Sequence, residues 1–82
     1  MAFGNTKMKK YIVYEDGTAE VFDLEFNHSQ KAEQSGKVAV SAGFVEKDYE
    51  GRLITTGNSI TLNLHSRPKD IEIVAPLLDV LK

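Results

Sequence analysis

Tyr11-Ile12-Val13-Tyr14-Glu15-Asp16-Gly17-Thr18-Ala19-Glu20-Val21-Phe22 consists of two runs of strand-forming residues joined by an Asp-Gly pair. β-Branched and aromatic side chains suit a pleated, half-buried surface, and Asp-Gly tolerates the positive φ that a tight reversal needs. The stretch therefore predicts an antiparallel hairpin, and with it a sheet at the centre of the fold. A two-residue loop at Asp16-Gly17 sets Ile12 against Val21, Tyr14 against Ala19 and Lys10 against Asp23, with Tyr11 facing Phe22 on the other side. A three-residue loop with Gly17 in a bulge sets Ile12 against Glu20 and Lys10 against Phe22 instead. The first register pairs like with like and closes on an opposite-charge pair, so it is the expected one.

Working outward, Asn27 with Gln30 three residues later is a capping-box pattern, and Gly36 stands where a helix C′ glycine belongs. Together they bound a short polar helix that carries His28 and Ala32 on one face. Lys37 to Val45 then reads as a strand. Val38, Val40, Ala42 and Phe44 line one face, and the small Ala39, Ser41 and Gly43 line the other, where a helix can come close. After the polar loop Lys47–Gly51, a second hairpin is expected from Arg52–Thr56, the pair Gly57-Asn58 and Ser59–His65. In it Leu53 faces Leu62 and Arg52 faces Asn63. The polar side, Arg52, Thr61, Asn63 and His65, forms with Arg67 a mildly basic candidate patch.

Ser66 reads as a helix N-cap, with Pro68 and Asp70 in the first turn, where each is favourable. The helix runs towards Lys82 with two apolar stripes, Ile71-Val74-Ala75-Leu78-Leu81 and Ile73-Leu77-Val80. Pro76 lies on the polar side, where it either kinks one helix or divides two. One sheet face covers one side of a helix, so Ile73, Leu77 and Val80 are the expected contact with another body. A C2 homodimer is the commonest such arrangement.

Composition narrows the function. The chain has 82 residues, a net charge of −2 and no cysteine, which rules out disulfides and thiolate zinc sites. Ten basic against twelve acidic residues argue against a large phosphate-binding face. The two histidines lack metal-ligand spacing, and no Gly-x-Ser-x-Gly elbow or phosphate-binding glycine loop is present. No enzyme activity, metal or cofactor is expected. No apolar run approaches the ~20 residues that span a bilayer, so no membrane association is expected and a cytoplasmic setting follows by default. The expected organisation is a flexible tail over residues 1–7 and a single α+β domain over 8–82. That domain is a mostly antiparallel sheet of about five strands, with the C-terminal helix on a face and a short helix after the second strand.

Val40-Ser41-Ala42-Gly43-Phe44-Val45, His28 with Ala32, and Gly57–Leu64 followed by Ser66-Arg67-Pro68-Lys69-Asp70 resemble a pattern in small uncharacterised bacterial and phage-borne proteins. The likeness spans roughly the last two-thirds of the chain. It implies a phage or prophage setting and carries no catalytic residue. The leading expectation is a non-enzymatic, homodimeric protein-interaction module. One alternative is a nucleic-acid-binding module using the Arg52–His65 face and the Lys7-Lys9-Lys10 arm. Another is a phage-encoded inhibitor of a host defence enzyme.

Overall fold

The computed structural model describes residues 8–80, so the expected tail at 1–7 lies outside the described residues. The elements are β1 (Lys9–Tyr14), β2 (Ala19–Phe22), α1 (His28–Ser35), β3 (Ala39–Lys47), β4 (Leu53–Thr56), β5 (Asn58–Ser59), β6 (Leu64–His65) and α2 (Asp70–Val80). Four strands form one antiparallel sheet in the order β2-β1-β3-β4, and β5 and β6 form a separate two-stranded ribbon. The expected α+β class holds, with one helix after the second strand and one at the C-terminal end. Among the described residues, no helix is long and apolar enough to cross a membrane.

The first hairpin adopts the register that the like-with-like argument disfavoured. Lys10 faces Phe22, Tyr11 faces Val21, and Ile12 faces Glu20. Turn chemistry explains the correction. Tyr14 N donates to Thr18 O at 2.8 Å and Gly17 N to Tyr14 O at 3.0 Å, which leaves a three-residue loop. Gly17 takes φ 88°, a conformation open to glycine. The Asp16 carboxylate accepts from Thr18 N at 3.0 Å and from its hydroxyl at 2.5 Å, locking the loop. Cross-strand likeness had little to decide, because Tyr11, Ile12, Val13 and Tyr14 are all buried and both faces of β1 are core.

The same loop recurs between β3 and β4, where Asp48 N donates to Arg52 O and Gly51 N to Asp48 O. This overturns the second expected hairpin. β4 pairs back onto β3, with Lys47 opposite Leu53 and Phe44 opposite Thr56, rather than forward onto Ser59–His65. The polar loop Lys47–Gly51 contains the turn, and at Gly57 the chain leaves the sheet. Asn58 then faces His65 and Ser59 faces Leu64, across a turn in which Asn63 has φ 57°.

Two apolar clusters flank the sheet. Tyr11, Val13, Val45 and Val74 form the α2 side, joined by Val21, Leu53, Ile71, Ile73 and Leu78. Ile12, Tyr14, Phe22 and Ala42 form the other, covered by Ala32 of α1 and by Leu62 and Leu64 of the ribbon region. The expected small face of β3 is used in part: at Gly43 the close approach comes from the end of β4 and the loop before α2, not from a helix. A Cβ on Gly43 would sit 2.6 Å from Thr56 O and 2.9 Å from Ser66 Cβ, so only glycine admits that close approach. A register shift opposite Val13/Tyr14 breaks the alternation at the start of β3. Ala39 therefore joins the α1 side, away from Ser41 and Gly43, while Val38 and Val40 are exposed instead of lining the core.

Both helix boundaries of α1 follow the sequence. Asn27 caps through its side chain, which accepts from Gln30 N at 3.1 Å, and Gly36 closes the helix in the left-handed region at φ 71°. Pro76 lies inside a continuous α2, on its exposed side. Ile73 and Leu77 are half-buried rather than bare, which corrects the picture of an uncovered second stripe. The physical reason is that α2 lies across all four strands of the sheet, so Ile73 reaches the core along with Val74.

Candidate interaction site

The segment Ser66-Arg67-Pro68-Lys69-Asp70 builds the most polar part of the interior. Asp70, expected as a favourable first-turn acid, is fully buried. Its Oδ2 accepts from the Tyr11 hydroxyl at 2.6 Å and from Arg67 N at 2.9 Å, and its Oδ1 accepts from Arg67 Nε at 2.8 Å. Asp70 thus folds back on the helix entry and bonds the backbone N–H three residues before it, as the acid of a capping box does. The Thr55 hydroxyl donates to Arg67 O at 2.8 Å, tying this entry to β4. Ser41 Oγ is buried beside the network without a hydrogen-bond partner of its own, yet close enough for its dipole to favour the Asp70 anion.

Burial pushes the Asp70 carboxyl up, but the hydrogen bonds from Tyr11 and Arg67, helped by the nearby Ser41 hydroxyl dipole, outweigh it and hold the group below its ordinary value. Burial raises the Tyr11 phenol, and the neighbouring Asp70 carboxylate raises it further. At neutral pH the acid is an anion and the phenol keeps its proton. Such a pair anchors a helix and is not tuned to exchange protons near pH 7.

The anchored entry forms one wall of a groove of about 460 Å³. Val13, Val40 and Ile73 supply its apolar lining, with Tyr14 beside them. Arg67, Lys69 and Glu72 line the α2 side, and Glu15 and Gly17 come from the β1–β2 turn. Val38 adjoins the groove, since its carbonyl accepts from Glu15 N at 2.7 Å, and its side chain is 61% exposed. Val40 is open to this side because it sits at the register shift between β1 and β3.

Of the residues singled out from sequence, the structure brings Arg67 and Ile73 together in this groove. Leu77 lies one turn further along α2, half-buried, and the Val80 side chain is outside the described ones. The polar patch is not assembled. Arg52 is exposed at the β3–β4 turn, where it pairs with Glu50 at 2.5 Å and Asp48 at 3.5 Å. β4 separates Arg52 from the ribbon, which carries Asn63 in its turn and His65 opposite Asn58. Arg67 belongs to the opposite face of the sheet. Of the expected basic arm, Lys7 lies outside the described residues; Lys9 pairs with Asp23 at 2.5 Å, and Lys10 Nζ donates to Phe26 O at 2.7 Å.

Sequence reasoning missed Val38, Val40, Glu15 and Lys69. Strand alternation set the valines on one face with Ala42 and Phe44, but a register shift that no local signal announces breaks that face. Glu15 could have been found, because it belongs to the tight turn. Among the described residues, no group of three or more His, Asp or Glu side chains is placed to hold a metal ion. No family model, curated protein or solved structure matches this chain.

Proposed function

We propose that this chain is a non-enzymatic protein-interaction module that docks a second copy of itself through the groove between the β1–β2 turn, the start of β3 and the entry of α2. One observation carries the reading: an open apolar floor lies between a turn bearing Glu15 and a helix entry bearing Arg67 and Lys69. A twofold axis sets each wall against the partner's opposite wall, so the same patch supplies both charges. Val40, with Val13 and Ile73, supplies an apolar centre beside exposed Val38, and charge rings it, as interfaces favour. Each Val or Ile fully withdrawn from water contributes about 1.5–3 kcal/mol.

Glu15 and Glu72 on the rim, and the engaged Lys9 and Lys10, give a phosphate backbone less to hold, so a nucleic-acid role has weaker support. A cytoplasmic, phage- or prophage-borne setting accompanies the proposal, resting on the resemblance of the Val40–Val45 and Ser66–Asp70 segments.

Light scattering coupled to size exclusion tests the reading. The expected mass is twice the 9.1 kDa of one chain, and Val38→Asp shifts it to the monomer. Glu15→Lys and Lys69→Glu each weaken association, and the two together restore part of it. A strict monomer at high concentration removes self-docking, and the groove is then tested as a site for another protein, such as a host enzyme that the chain inhibits.

A further inference from the structure

α1 is a helix held down chiefly through its first residue. Its sequence, His28-Ser29-Gln30-Lys31-Ala32-Glu33-Gln34-Ser35, is almost wholly polar, and His28 is its one buried residue. The His28 ring is 4% exposed. It stands edge-on to Phe22 of β2, with centroids 5.6 Å apart, and to Phe44 of β3, at 5.8 Å. Its Nε2–H donates to Gly43 O at 3.0 Å. The helix is therefore docked by a neutral imidazole in an aromatic slot, with Ala32 as the smaller second contact.

The charged surroundings do not welcome a proton. Lys10 of β1 is the charge that acts on the ring. Lys31 of α1 itself lies over the Phe22 and Phe26 rings at 5.7 and 4.6 Å. β2 and β3 present Phe22 and Phe44, Glu20 turns away to accept from the Tyr14 hydroxyl at 3.1 Å, and the ribbon side contributes Leu62 and Leu64. His28 also begins the helix, where the dipole disfavours added positive charge. No carboxylate among the described residues bonds to the ring.

We infer that α1 is an acid-released cover: protonation of His28 expels its ring from the Phe22–Phe44 slot and frees the helix while α2 and the sheet stay in place. Burial lowers the His28 pKa below its ordinary 6.5, the Gly43 carbonyl opposes this, and Lys10 adds to the lowering. Because the folded value is depressed, the docking contribution is fully present above 6.5 and is lost as pH falls through the folded value. The Asp70 network is already ionised across that window, so the α2 side does not respond.

Hydrogen exchange, corrected for intrinsic rates, reads this directly. Between about pH 7.5 and pH 5, protection of the α1 amides falls at least about threefold while that of β1 and β3 holds. His28→Leu keeps the helix docked and abolishes the pH dependence. If that variant does not fold, NMR titration of the His28 ring in the wild-type chain decides, with a value below that of a free histidine peptide expected. Three results overturn the inference: α1 protection that ignores pH or falls together with the sheet, a His28→Leu chain that keeps the pH response, or a ring that titrates no lower than the peptide.

Discussion

On one side of the sheet α2 is pinned by an ionised network in which buried Asp70 and Tyr11 meet a part-exposed Arg67; on the other, α1 is pinned by one neutral imidazole between two phenyl rings. The α2 side adds a wide apolar contact through Ile71, Ile73, Val74 and Leu78, whereas α1 adds Ala32. The contrast teaches how one small sheet can carry covers of unequal strength. A buried anion with all its donors in place tolerates no partial release, because removing one partner strands the others without water. A single neutral group can leave its slot and be hydrated at modest cost.

The comparison can be broken most severely at Asp70. Asp70→Ala strands the buried Tyr11 hydroxyl and unpairs the part-exposed Arg67, and a loss of about 3 kcal/mol is expected in urea unfolding. Asp70→Asn should flatten the acid limb. The depressed Asp70 carboxyl contributes stability above its free value of 3.8 that is lost as pH falls through the folded value. Acid unfolding of the wild type that is unchanged in Asp70→Asn would contradict the network's role.

Gly43→Ala comes next. Its Cβ would press on Thr56 O and Ser66 Cβ, both part of the chain's exit from the sheet, and overpacking of this kind costs about 1–3 kcal/mol. Thermal melts should register it as a clear drop, and a neutral result would mean that the close approach relaxes easily. Asn27→Ala removes the α1 cap for about 1 kcal/mol. The sharper expectation is its location: exchange in α1 should quicken while α2 stays protected. Smallest is Arg52→Ala. Its pairs with Asp48 and Glu50 are solvent-exposed, so a stability change within about 0.5 kcal/mol is expected by the same melts.

How much was legible depends on the distance over which each signal acts. Asn27, Gln30 and Gly36 act within α1 itself, and its start and end follow them. The small face at Ser41 and Gly43 correctly foretold a close approach. Ile73 and Arg67, singled out on separate surfaces, come together as lining of one groove. Arg52, Asn63 and His65 were linked through a hairpin that β4 does not form, because β3 already offered β4 an edge across a tight loop.

Residue order alone determined the two helices, the strands of the first hairpin, the α1 caps and the α+β class, since these arise from backbone preferences and periodicities a few residues long. Tertiary structure decided the hairpin registers, the desertion of the sheet at Gly57, the burial of Asp70 and the opening at Val38 and Val40. Those outcomes turn on which distant strand or helix reaches a given edge first and seals it from water. Local chemistry leaves several such pairings nearly equal in energy, and packing across the whole sheet selects one.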